Sequence, residues 1–133
     1  MGFSMVEMFD TNLILRLVLR DMPEQCLKIQ DLLMRKGATY DIADLAVTEA
    51  VYVLQKGNSR GDIVEMLQFV LGLPHIRANF NLFDRVFPMY LEHPKLSFND
   101  CCLAVYAQLN GATPLWTTDH KLAHQSPTAK LLV

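Results

Sequence analysis

The sequence predicts an α/β protein, a three-layer α/β/α sandwich with a mainly parallel central sheet. Short apolar runs alternate with longer segments of helical periodicity, glycine or proline separates many of them, and acids follow the first and last runs directly. Alternation of this kind argues for parallel strands joined by helices, because a parallel connection needs a crossover. In such sheets ligands bind beyond the carboxyl ends of the strands. Asp10 and Asp119 stand where that rule looks for a site.

The first run, residues 6–9, reads as a strand, and 11–20 then places Leu13, Ile14, Leu17 and Val18 at helical spacing. Pro23 suits the first turn of a second helix, which runs to about residue 36 and stops at Gly37. Residues 39–42 form a second strand candidate, followed by a helix over about 44–56 that closes at Gly57-Asn58. Another helix, about 60–71, ends at Gly72 and Pro74, and 75–78 is a third strand candidate. A helix over about 81–91 must accommodate Pro88, which removes a backbone donor. The segment 97–109 is an apolar helix ending at Gly111, and 114–118 reads as a buried strand with Trp116 in the core. The scattered methionines are expected to fill the core.

With 133 residues and 51% hydrophobic content, the chain suits one domain spanning 1–133. No apolar run reaches the roughly 20 residues of a membrane span, so no membrane association is expected. Met1-Gly2-Phe3-Ser4 looks like the start of a myristoylation signal, but Val6 occupies the position where Ser or Thr is needed. No signal peptide is evident. Cys26, Cys101 and Cys102 are odd in number and lack CxxC spacing, which indicates neither a disulfide framework nor a zinc site and fits a cytoplasmic protein. The formal charge of −2 excludes the overall basic footprint of a dedicated nucleic-acid binder. The four histidines have no ligand spacing and read as loop or surface residues.

Four acids carry the chemistry, and each has a plain structural use. Asp10 precedes the first helix, Asp119 precedes a short last one, and aspartate is a favoured N-cap. Asp100 lies three residues after Ser97, which matches a capping box. Glu49 has Leu45, Ala46, Tyr52 and Val53 three and four residues away, off the polar stripe of Asp44, Thr48 and Gln55. A carboxylate in an apolar setting needs a cation, a hydrogen-bond partner or a raised pKa. Capping does not explain four acids in one chain as a set. Two hard divalent cations about 3.5 to 4 Å apart do, because they take several oxygen ligands and need neutralising charge.

Asp10-Thr11-Asn12 after a first strand, Thr48-Glu49 on a helix, Asn99-Asp100 opening a helix and Thr118-Asp119 after a strand together resemble the PIN-domain family. The likeness is strongest to the small VapC-type toxins and covers nearly the whole chain, to about Ala123. It implies an Mg²⁺- or Mn²⁺-dependent endoribonuclease, a toxin restrained by an antitoxin, and a homodimer. Carried over by position, Asp10, Glu49, Asp100 and Asp119 become the metal-binding acids, with Asn12 and Thr118 supporting them and Arg16 and Lys121 meeting phosphate. Residues 57–94 carry nothing that the resemblance explains. A haloacid-dehalogenase-type phosphatase would need a second aspartate where Asn12 stands, and a receiver domain would need an Asp after a middle strand that cannot be placed. The remaining alternatives are a PIN-like binding or assembly module without activity and a housekeeping RNA-processing nuclease.

Overall fold

In the computed structural model, which describes residues 5–132, parallel pairing organises the strands. The stretch 1–4 weighed as a myristoylation signal lies outside the described residues. Strand β1 (Met5–Met8) pairs in parallel with β2 (Ala38–Asp41), which pairs in parallel with β3 (Ile76–Arg77). Helices α1 (Thr11–Leu19), α2 (Pro23–Leu33), α3 (Asp44–Leu54) and α4 (Arg60–Leu71) occupy the intervals. These elements form one compact unit, residues 1–79, and residues 80–133 form a second. The second contains α5 (Phe80–Glu92), α6 (Phe98–Leu109), β4 (Leu115–Thr117), α7 (His120–Gln125) and β5 (Ala129–Leu131). Strands β4 and β5 are parallel as well. The α/β class with parallel strands is therefore what the chain adopts, its strands falling into two ladders.

The first unit is built on apolar spacing. Helix α1 packs against α3 and α4, and Ile14, Val47, Ala50, Ile63, Leu67 and Val70 are all fully buried. Periodicity of 3.6 residues places these groups on one stripe of each helix, and each buried large side chain contributes roughly 1.5–3 kcal/mol. Helix α1 stops where Arg20 turns left-handed at φ 52°, its N–H donating to the Arg16 carbonyl. Helix α2 stops at Leu33, three residues short of the expected end, and Met34 caps it through bonds to the Gln30 and Asp31 carbonyls. Gly37, at φ 75°, then feeds the chain into β2, a conformation glycine adopts without steric cost. Arg35 ties that corner together by donating to the Tyr40 hydroxyl and to Glu7, and Tyr40 donates to the Leu32 carbonyl. The Tyr40 bond is the larger of the effects that hold the Arg35 pKa above its ordinary value.

In the second unit α5 runs through Pro88 without ending. The cost of an interior proline, about 3 kcal/mol, is outweighed by one face that buries Leu82, Phe83, Val86, Phe87 and Tyr90. That face meets α6, where Phe98 lies within 6.2 Å of the ring centroids of Phe83, Phe87 and Tyr90. Ser97 and Asp100 close the expected capping box: Ser97 Oγ accepts from the Asp100 N–H at 3.0 Å, and Asp100 Oδ2 accepts from the Ser97 N–H at 3.1 Å. Ser97→Ala should therefore cost about 0.5–2 kcal/mol, read as a lower urea midpoint, while Asp100 keeps its bond to the backbone of residue 97.

Two core expectations are corrected. Trp116 is 56% exposed, because strand alternation turns it to the open face of a two-stranded ladder, where Lys130 Nζ stands 5.4 Å from the ring centroid. Met5, Met8, Met22 and Met34 are exposed rather than core filler, and Met66 and Met89 are half-buried. Among the histidines, His93 is half-buried and shares a 2.9 Å hydrogen bond with Gln125 Oε1, whereas His75, His120 and His124 are exposed. Strand β5 was not anticipated, since three residues are too short to display a period. Among the described residues no helix is long and apolar enough to cross a membrane.

Candidate metal centre

In the first unit, the bond from the Phe9 N–H to the Asp41 carbonyl, 2.9 Å, carries the chain past the end of β1. Asp10 therefore emerges at the carboxyl end of the ladder. Its backbone has the extended geometry of an N-cap, φ −73° and ψ 158°, yet its side chain makes no capping hydrogen bond. The structural use that aspartate offers at this position is not taken up. The next residue, Thr11, is buried, and its hydroxyl donates to Glu49 Oε2 at 2.8 Å, joining the start of α1 to α3.

Glu49 was expected to avoid solvent, but it is exposed. Of its apolar neighbours only Ala46 is buried, while Leu45 is 75%, Tyr52 68% and Val53 39% exposed, because α3 buries Ala46, Val47, Ala50, Val51 and Leu54 on its other side. Thr11, passed over in favour of the exposed Asn12, is the residue bonded to Glu49. The available signal was position: Thr11 lies four residues before Leu15, on the stripe α1 turns inward.

In the second unit Asp100 is half-buried and holds its capping box. Asp119 caps α7, its Oδ1 accepting from the Lys121 N–H at 2.8 Å and the Leu122 N–H at 3.4 Å. Thr117, rather than the exposed Thr118, braces this turn by accepting from the Asp119 N–H at 2.9 Å. Lys121 is exposed in the first turn of α7. Arg16, in the first unit, has its guanidinium on Asp21 at 3.0 and 3.1 Å, so its charge is shared with a carboxylate.

The carboxyl ends of β2 and β3 carry further polar groups that sequence reading did not single out. Arg77 Nε stands 2.8 Å from Asp41 Oδ1, and its Nη2 donates to Asp41 Oδ2 at 3.5 Å. Asn79 Nδ2 donates to Asp44 Oδ2 at 3.1 Å.

Carboxylate oxygens are the donors that Mg²⁺ and Mn²⁺ take, so the chemistry of Asp10, Glu49, Asp100 and Asp119 suits such an ion. Asp10 and Glu49 belong to the first unit, Asp100 and Asp119 to the second. Among the described residues, no group of three or more His, Cys, Asp or Glu side chains is arranged as a metal site.

The sequence profile of the PIN domain matches residues 8–126. The chain belongs to the PIN-domain family. That match runs through both units and takes in all four acids, and PIN domains are generally nucleases, that is, hydrolases. No curated protein matches the chain. Several solved structures are similar to it, including the following two. One is the crystal structure of VapBC2 from Rickettsia felis bound to a DNA fragment from their promoter, at 20% identity over 96% of this chain and 98% of that one, with a TM-score of 0.43. The other is PAE2754 from Pyrobaculum aerophilum, at 21% identity over 98% of this chain and 92% of that one, with a TM-score of 0.33.

In this PIN domain the Thr11 hydroxyl orients a candidate ligand. Thr11→Val should lower affinity for Mn²⁺ roughly 10- to 100-fold, the usual cost of losing a group that orients a metal ligand. Because Thr and Val match in shape, stability should fall by only about 1 kcal/mol. Calorimetry and thermal melting on one sample check both.

Proposed function

We propose that the protein is an Mg²⁺- or Mn²⁺-dependent endoribonuclease that hydrolyses RNA phosphodiester bonds, and that it is the toxin of a toxin–antitoxin pair acting in the cytoplasm. The observation that carries this reading is the PIN-domain match, which reaches from β1 to α7 and includes Asp10, Glu49, Asp100 and Asp119. Asp10, with no capping bond, supports it. We assign these four acids as the metal ligands and residues 1–133 as one nuclease domain. A divalent ion bound there would supply a water of lowered pKa as nucleophile and charge stabilisation for the leaving oxygen.

The protein's own groups have narrower tasks. Thr11 holds the carboxylate of Glu49 in one orientation, and the capping box holds that of Asp100. Asn12 and Thr118 are assigned to support the acids, and Arg16 and Lys121 to meet phosphate, with Arg16 having to leave Asp21 to do so. No Ser, Cys or His nucleophile is required.

The antitoxin and a second copy of the chain are the proposed protein partners. Of the leucines spaced along the first two helices, Leu15 is buried and Leu32 half-buried, while Leu19 and Leu27 are 39% and 61% exposed. Leu27 lines a groove of about 440 Å³ in the first unit, together with Leu17, Pro23, Cys26, Leu33 and Phe69. An apolar groove open to solvent supports the antitoxin reading.

The test is incubation of the purified protein with single-stranded RNA and with single-stranded DNA, in Mn²⁺ and in EDTA. Cleavage of RNA only, and only with the metal, is expected. No cleavage of either with any divalent ion would leave a PIN-like binding module. Cleavage confined to one precursor RNA would favour the housekeeping role.

A further inference from the structure

A second feature of the first unit lies beside Asp10 and is not explained by the metal ligands. Met8, Asp41 and Arg77 stand in register across β1, β2 and β3, so Arg77 is two strands, roughly 10 Å, from the strand that delivers Asp10. These carboxyl ends border an open depression of about 240 Å³ lined by Met8, Asp41, Ile42, Ala43, Arg77, Ala78 and Asn79. Its walls are of two kinds. Met8, Ile42 and Ala43 are apolar. Asp41 and Arg77 are charged and paired with each other, and Asn79 is fixed by its bond to Asp44.

The pairing is uneven in a way that leaves both partners something to offer. Asp41 Oδ1 is fully buried, with Arg77 Nε at 2.8 Å but without hydrogen-bond alignment. The Asp41 side chain is nevertheless 32% exposed, and that exposure cannot come from Oδ1. It falls on the other side-chain atoms, Cβ, Cγ and Oδ2, and Oδ2 holds only the long 3.5 Å bond to Arg77. Arg77, 59% exposed, turns its Nε and Nη2 edge towards the Asp41 carboxylate, which leaves the faces of the planar guanidinium for stacking.

A phosphate is a poor occupant, because the Arg77 charge is already balanced by Asp41 and Asp44 stands nearby. An aromatic heterocycle with hydrogen-bonding edges fits better. Unpaired RNA bases stack on guanidinium planes and are read along their edges, and carboxylates accept from exocyclic amino groups. We propose that this depression is a base-reading subsite for single-stranded RNA: Arg77 stacks on an unpaired base, and Asp41 Oδ2 accepts from its exocyclic amino group. The inference rests on the ribonuclease reading and deepens it by naming a source of sequence preference. Adenine and cytosine carry the amino donor, and uracil presents a carbonyl to the same oxygen.

The test is binding of fluorescent octamers of A, C and U by anisotropy in EDTA, so that nothing is cut. The wild type is expected to bind the A and C octamers on the order of 10-fold more tightly than the U octamer. Asp41→Asn, which keeps one oxygen for the Arg77 donors and puts an amide NH₂ in place of the other, should bring that ratio to about one. Arg77→Ala, at an exposed position, should weaken all three by on the order of 10-fold, the scale of one lost stacking platform. Equal binding of the three octamers by the wild type, or an unchanged ratio in Asp41→Asn, would overturn the proposal. So would failure of the wild type to bind any octamer. Cleavage in Mn²⁺ is scored separately: cutting with no base preference removes the subsite and leaves the ribonuclease, whereas no cutting removes the reading on which the subsite rests.

Discussion

Asp100→Asn is expected to cut RNA more than about 100-fold more slowly than the wild type while melting at nearly the same temperature. The lower bound follows from scale: losing a group that merely orients a ligand costs 10- to 100-fold, and losing the ligand's charge costs more. The preserved fold follows from the capping box. Asn is close to Asp in shape, its side-chain oxygen can still accept from the Ser97 N–H, and the N-cap Ser97 Oγ still accepts from the backbone of residue 100. Gel assays of cleavage and melting followed by circular dichroism separate the two effects. Full activity in the variant would remove Asp100 from the metal site.

Phe98→Ala, two residues away, is expected to do the reverse in magnitude, costing about 3–5 kcal/mol of stability. Phe98 is 3% exposed and makes ring contacts with Phe83, Phe87 and Tyr90, the last edge-on at 84°. Truncation leaves a void between α5 and α6 that the remaining rings, fixed on their helices, fill only in part. Urea denaturation followed by fluorescence and circular dichroism reads the loss. A change below about 1 kcal/mol would mean that the cluster closes over the void.

These two neighbours show which parts of the molecule were legible in the sequence. Helix positions followed from spacing, as in α4, where the expected and observed limits coincide at Arg60 and Leu71. The capping box was legible because it is local, a serine and an acid three residues apart. Contacts between distant segments were not. The Thr11–Glu49 bond joins residues 38 apart and the Asp41–Arg77 pair residues 36 apart, and no local pattern marks either. Trp116 failed for a related reason: its alternation was readable, but which face of β4 is covered depends on what pairs and packs there. Glu49 failed likewise, since apolar neighbours on a helix announce a buried face only when something covers them, and Leu45 and Tyr52 lie open. The four acids were singled out because their order matches a family pattern, while their individual settings, a bare N-cap at Asp10 and occupied capping bonds at Asp100 and Asp119, emerged only with the structure.

Titration of the wild-type protein with Mn²⁺ in a calorimeter, in the absence of RNA, tests the central claim most directly, because it needs no knowledge of the sequence cut. Saturable binding that disappears in Asp100→Asn is the predicted result. No heat beyond dilution with the wild type would contradict it, and Asp10, Glu49, Asp100 and Asp119 would then be two capping acids, a bare N-cap aspartate and a glutamate tied to Thr11.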